Sequence, residues 1–200
     1  MTCAAVVLAA GGGRRYGMPK ALVEYGGSLL VERAVRTARA ACDVVLVVLG
    51  AQAVDVWRTA DLSGATVLAN QDWETGMASS LRTGLDGLRG LPRAVGRAGG
   101  IDAALVTLVD MPGMTPEALR AVATHAAPDA LAVATYDGVR GHPVLLGREH
   151  WAGVIATATG DEGARRYLAE HSGAVTEVDC TGLADPADLD VPPAGVPSAP

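Results

Sequence analysis

The run CAAVVLAA at residues 3–10 carries no charged or hydroxyl side chain and is cut off by three consecutive glycines. A strand with one wet face alternates apolar and polar residues. An uninterrupted apolar run instead fits a strand covered on both faces, as in a parallel sheet between helices. DVVLVVLG (43–50) and DAALVTLVD (102–110) read the same way, and ATVLAN (65–70) reads as a further strand. Segments of helical spacing separate them: SLLVERAVRTARAA (28–41), with Ser28 as expected cap, AVDVWRTA (53–60), and MASSLRTGLDGLRG (77–90), expected to loosen at its glycines. TPEALRAVATHA (115–126) follows, with Thr115 as cap and Pro116 at the first helical position. ALAVATY (130–136) and HPVLLG (142–147) flank a DGVRG turn as strands; REHWAGVIATA (148–158) and DEGARRYLAEHS (161–172) read as helices before a strand at AVTEVD (174–179). Strands alternating with helices predict an α/β fold, a single domain over 1–191 with a mostly parallel sheet and helices on both faces. GLPRAVGRAGG (90–100) reads as a mobile surface loop and PPAGVPSAP (192–200) as a flexible tail.

Two hundred residues suffice for one substantial core, built here from Ala, Val and Leu because the chain has no Phe. A net charge of −6 argues against nucleic acid or an anionic membrane as partner. The three cysteines form no CxxC pair, so neither a zinc site nor a disulfide framework is suggested. No basic segment precedes the first apolar run, which enters the glycine loop directly and so reads as a strand rather than a leader. No apolar stretch approaches membrane-spanning length, and a cytoplasmic location is expected.

In an α/β sheet, ligands bind beyond the carboxyl ends of the strands. Two such ends carry chemistry: the loop LAAGGGRRYGMPKAL (8–22) and Asp110. Against GxGxxG, Gly11 and Gly13 fit but Tyr16 stands where the third glycine packs helix on strand, so a dehydrogenase loop is not read here. Against a Walker loop, Gly12 to Gly17 has the spacing, but Lys20 comes two positions late and no magnesium-binding hydroxyl follows it. A third use remains. Glycines admit phosphate oxygens to backbone N–H groups, and Arg15 and Lys20 can offset the charge of the β- and γ-phosphates that depart as pyrophosphate. Asp110, at a strand end and held out of the following helix by Pro112, can bind a hard cation such as Mg²⁺; alone it reads equally as a turn or capping residue.

LAAGGGRRYGMPKAL resembles the LAAGxxxRxGxxK signature of nucleotidyltransferases, with Arg15, Gly17 and Lys20 at its fixed positions. NQDWETGMASSL (70–81) looks like the NxDWxxGMxxSL segment of relatives that act on the molybdenum cofactor. GHP (141–143) and GDEGAR (160–165) resemble the same branch, and ADLDVPPAG (187–195) a weaker version of its late acidic element, without the Thr and acidic pair. On these motifs the chain resembles the molybdenum cofactor cytidylyltransferase-like branch of the NTP transferases related to molybdopterin-guanine dinucleotide synthesis, from Val6 to about Asp190.

The resemblance implies a Rossmann-like nucleotide-diphospho-sugar transferase fold and, as activity, transfer of CMP from CTP to the phosphate of molybdopterin or its molybdenum form. Catalysis is then expected from Arg15, Lys20 and Asp110. Nucleotide contacts are expected from Leu8, Ala9, Ala10, Gly11, Gly12, Gly13, Arg14, Gly76, Ser79 and Ser80, with the last three at a helix start where they can read base or ribose. His142, Asp161 and Arg165 are expected on the acceptor side, although His142 alone reads equally as a structural residue, and Asp161 as an N-cap with Arg165 exposed. Asp110 is expected to hold Mg²⁺, with Asp190 as a second candidate ligand. Loop acids Asp72 and Glu74 read as solvated. Ala10 resembles the cytidine branch, where guanine users often carry glycine. A guanylyl- or other nucleotidyltransferase is the alternative enzyme, and a non-catalytic cofactor carrier or insertion chaperone the alternative of another class; a recipient molybdoenzyme is the implied downstream partner.

Overall fold

The computed structural model describes residues 1–91 and 100–190. Most of the expected loop at 90–100, and the expected tail, lie outside the described residues. The first apolar run forms β1 (Cys3–Ala9), followed by a 3₁₀ turn at Lys20–Leu22, a two-strand ribbon β2 (Glu24–Tyr25) and β3 (Ser28–Leu29), and α1 (Leu30–Ala41). Next come β4 (Val44–Leu49), α2 (Ala53–Thr59), β5 (Thr66–Ala69), α3 (Met77–Gly90) and β6 (Ala103–Leu108). The rest is α4 (Pro116–Ala123), β7 (Leu131–Tyr136), β8 (Val139–Gly147), α5 (Trp151–Thr157), α6 (Arg165–Glu170) and β9 (Val175–Asp179).

Seven strands form one sheet in the order β5-β4-β1-β6-β8-β7-β9. Every neighbouring pair is parallel except those made by β8, which runs against both β6 and β7. Successive side chains of a strand point to opposite faces, and each face finds its own helices. Ala5, Val7, Val45, Val47 and Leu105 join Val31, Val35, Leu119 and Val122 of α1 and α4. Val6, Leu46, Val48, Ala104 and Val106 join Leu81, Leu85, Trp151, Val154 and Leu168 of α3, α5 and α6. The inner strands are therefore sealed on both sides, which is why they needed no polar alternation, while the edge strands β5 and β9 stay partly exposed.

Four local expectations change. Ser28 does not cap α1: it belongs to β3, where its hydroxyl accepts from Arg36, while Glu32 accepts the Leu29 N–H at 3.1 Å. Helix α3 runs unbroken through Gly84 and Gly87, where a Cβ would collide with Val6 and Leu68, so these glycines let the helix settle onto the sheet. The expected turn at 137–141 contracts to Asp137-Gly138, both at positive φ, and Val139 already pairs with Tyr136. The last helix is shorter than its spacing suggests, and Asp161 is not its cap. Thr115 and Pro116 behave as expected, with Thr115 Oγ1 accepting from Ala118 N–H.

Candidate active site

After β1 the chain goes outward to β4 and β5, then returns to place β6 on the other side of β1. The reversal opens a crevice between the carboxyl ends of β1 and β6. The glycine loop forms one wall and Asp110 stands at the other. Within the loop the chain folds back on itself: Gly13 O accepts from the N–H of Tyr16 and Gly17 at 2.9 and 2.8 Å. Gly13 has φ +62°, and a Cβ there would drive into the Met18 carbonyl. Gly12 rests on the Trp73 indole, where a Cβ would approach Cζ3 to 2.9 Å. Ala10 O, accepting from Ala51 N–H at 3.0 Å, ties the loop to the chain beyond β4.

The loop ends at Pro19-Lys20, and the Lys20 ammonium reaches across the crevice. Its Nζ donates to Asp110 Oδ2 at 2.8 Å and to Asp190 Oδ1 at 2.9 Å, while Arg15 meets Asp190 Oδ2 at 3.3 Å. Asp190 arrives on a strap that closes the described chain. Asp185 N–H donates to Gly113 O, Leu189 N–H donates to Asp110 O at 2.8 Å, and Leu183 O accepts from the Thr115 hydroxyl. Burial pulls the Lys20 ammonium down, but its hydrogen bonds to Asp110 and then Asp190 outweigh this and hold its pKa above the ordinary value. The same bond to Lys20 holds Asp190 below the usual carboxylate range. Asp188 is raised, first by burial and then by the charges of Asp110 and Asp190.

Arg15, Lys20, Asp110 and Asp190 border a cleft of about 550 Å³. The cleft collects Leu8, Ala10, Gly11, Gly12, Gly13, Arg14, Arg15, Lys20, Gly76, Ser80, Asp110, Asp161 and Asp190, thirteen of the expected site residues. Ala9 is not among its lining; its side chain packs on the opposite face with α1. Ser79 is also absent: it is 4% exposed, and its hydroxyl reaches the Asp72 and Gly76 carbonyls at 2.9 and 2.8 Å while accepting from Asn70 Nδ2. Nor does the start of α3 offer open N–H groups throughout. Asp161 Oδ1 accepts from Met77 N–H and Gly160 O from Ala78 N–H, so Asp161 caps α3 from a distance rather than its own helix.

His142 and Arg165 lie outside the cleft lining. His142 feels the charges of both Asp110 and Arg165, because β8 runs antiparallel and brings its first half to the end of β6. Burial pulls the imidazole down to about 4, with Arg165 adding to the fall and Asp110 opposing it. His142 is therefore neutral at pH 7, able to exchange hydrogen bonds but not to neutralise an anion. Arg165 is exposed at the start of α6. Trp73, Thr75 and Met77 also line the cleft, the first and last of them in the NxDWxxGMxxSL match but not among the expected site residues, and Glu74, which borders it too, is exposed as expected. The signal for Trp73 is tertiary: Gly12 and Gly50, far apart in the chain, both close on its indole.

Asp110 and Asp190 each place a carboxylate oxygen within 2.9 Å of one atom, the Lys20 nitrogen. Two hard oxygen donors converging on a point beside an anion-accepting loop fit Mg²⁺, which takes one or two carboxylates and completes its shell with water and substrate phosphate. Among the described residues no group of three or more His, Cys, Asp or Glu side chains makes an all-protein metal cage.

Comparison with known proteins agrees with this geometry. Residues 5–175 match the model of the MobA-like NTP transferase domain. Nicotine blue oxidoreductase of Paenarthrobacter nicotinovorans is 34% identical over 194 residues, covering 92% of this chain and 90% of that protein. The crystal structure of Rv0371c from Mycobacterium tuberculosis H37Rv superposes with a TM-score of 0.80 at 30% identity, covering 96% of this chain and 93% of that one. A complex of Rv0371c with manganese gives a TM-score of 0.75 at 28% identity, over 95% of this chain and 94% of that one. Among the described residues no helix is long and apolar enough to cross a membrane. With a family match over most of its length and the loop, lysine and strand-end aspartate gathered at one crevice, the chain belongs to the MobA-like NTP transferase family.

Proposed function

We propose that this chain is a Mg²⁺-dependent nucleotidyltransferase that transfers CMP from CTP to the phosphate of molybdopterin or its molybdenum form. The observation that carries the reading is the Lys20 ammonium bound to Asp110 and Asp190 at the mouth of the glycine-loop cleft. As the chain stands, two cations, Lys20 and Arg15, are balanced by two carboxylates. Asp110 and Asp190 would hold the divalent ion, and Lys20 and Arg15, which they now bind, would face the β- and γ-phosphates. The ion supplies charge neutralisation for the triphosphate. Loop N–H groups then steady the phosphates, while the cleft wall near Ser80, Gly76 and Trp73 receives the nucleoside.

An acceptor phosphate oxygen attacks the α-phosphorus, the bond from that phosphorus to the bridging oxygen breaks, and pyrophosphate leaves. The acceptor, with a second pKa near 6, is already largely ionised at neutral pH, so no protein base is required. That agrees with a cleft whose lining, among the described residues, includes no histidine. Positioning and electrostatics carry the rate. Ala10 favours CTP; a GTP-using or other nucleotidyltransferase is the alternative enzyme, and a non-catalytic cofactor carrier that of another class.

The 34%-identical relative, nicotine blue oxidoreductase, favours a second reading, an oxidoreductase. Incubation with each NTP, Mg²⁺ and molybdopterin separates them. Pyrophosphate formed with CTP supports the proposal, and pyrophosphate formed with GTP alone moves it to the guanylyl branch. Tight pterin binding without pyrophosphate favours the carrier. Reduction of nicotine blue in a parallel incubation with a reduced nicotinamide cofactor as hydride donor, without pyrophosphate from any NTP, favours the oxidoreductase.

A further inference from the structure

Beneath the turn that carries Asp110, on the sheet face covered by α1 and α4, two buried polar atoms have no partner among the described residues: Arg33 Nε and Thr107 Oγ1. Thr107 is 2% exposed. Both residues border one small cavity of about 10 Å³, room for the centre of a single water molecule, whose other walls include Leu108, Val109, Met111 and Pro112. A lone buried donor or hydroxyl is costly wherever it occurs. Two of them on one water-sized cavity supply the polar contacts that an internal water needs.

We propose that this cavity binds one ordered water molecule, which accepts from Arg33 Nε–H and exchanges a hydrogen bond with Thr107 Oγ1, and that Arg33 is thereby a positioning residue for Asp110. The rest of the guanidinium is already committed to the same neighbourhood. Its NH2 donates to Pro112 O at 3.1 Å, two residues beyond Asp110, and its plane lies 5.3 Å from the Tyr25 ring centroid. One rigid fork thus braces the segment from Thr107 to Pro112 at both ends, with α1 as its base. A lysine, with a single flexible ammonium, cannot hold these directions together.

The positioning role rests on the transferase reading; the water does not, and two measurements keep them apart. In thermal unfolding, Thr107→Val removes the hydroxyl at nearly constant shape. With a bridging water its Tm falls by about 2–4 °C, and adding Arg33→Lys to Thr107→Val costs less than the sum of the single losses. A Thr107→Val Tm equal to or above wild type, or strictly additive losses, overturns the water. In the pyrophosphate assay, Arg33→Lys and Thr107→Val each raise the Mg²⁺ concentration for half-maximal rate by about tenfold, with KM for the nucleotide unchanged. An unchanged Mg²⁺ response overturns the positioning role. If the wild type releases no pyrophosphate from any NTP, the transferase reading fails, and the thermal cycle still decides the water.

Discussion

Lys20 and Arg15 both face the triphosphate in the proposed reaction, but they begin from different surroundings. The Lys20 side chain is 15% exposed and bound to two carboxylates, whereas Arg15 is 80% exposed and bound to one. Lys20 is the better fixed charge, so its loss is expected to weigh most on the rate. Lys20→Ala should lower turnover by about 10²–10³-fold and Arg15→Ala by less, with unchanged circular dichroism in both. His142 gives a prediction of another kind. Its pKa falls from 6.5 to about 4 on folding, through burial with Arg165 adding and Asp110 opposing. Between those values the unfolded chain binds more protons than the folded one, so stability rises with pH there and is lost as pH falls. Tm measured from pH 7 down to 4 should drop less in His142→Gln than in wild type. Parallel curves would show that the imidazole is not held neutral.

Helix α3 shows what local propensity misses. Glycines inside a helix ordinarily weaken it, which is why the sequence suggested loosening at 84 and 87. Contact with the sheet decides otherwise, since a Cβ at Gly84 would stand 2.5 Å from Val6 Cγ1. Gly84→Ala is therefore expected to destabilise by about 1–3 kcal/mol through overpacking. Gly90→Ala, where nothing lies within 4 Å, should be neutral or stabilising by up to about 1 kcal/mol. Denaturant unfolding of the two variants checks both signs. The apolar strand runs and the Thr115-Pro116 helix start were legible because each is set by neighbours in sequence. Asp161 capping α3 across 84 residues depends on a tertiary contact that no local pattern records, whereas Leu29 in place of Ser28 at the start of α1 follows from local contacts, the pairing of Ser28 with Tyr25 and the bond from Leu29 N–H to Glu32 three residues on.

At the scale of the whole molecule, the site follows from the order of the strands. The return of the chain to the far side of β1 puts the glycine loop and Asp110 on opposite lips of one crevice. Each was visible in the sequence as a loaded strand end, but their meeting through Lys20 was visible only as a resemblance. The acceptor side was least legible, since His142 and Arg165 stand apart from the cleft lining. A ligand held by both lips binds the folded chain alone and must stabilise it. CTP with Mg²⁺ at 100 times its Kd should add about 2.7 kcal/mol and raise Tm by roughly 5–10 °C. CTP without a divalent ion should raise it less, and equal shifts would deny the metal a part in binding.

The central claim is that this loop holds a triphosphate for attack at its α-phosphorus, with Lys20 and Asp110 as working parts. Pyrophosphate release from CTP, with Mg²⁺ and molybdopterin, tests it most directly when wild type, Lys20→Ala and Asp110→Asn are run side by side. Release by the wild type should require all three components and fall by about 10² or more in both variants. Wild-type turnover in Lys20→Ala, or no pyrophosphate from any NTP, would contradict it.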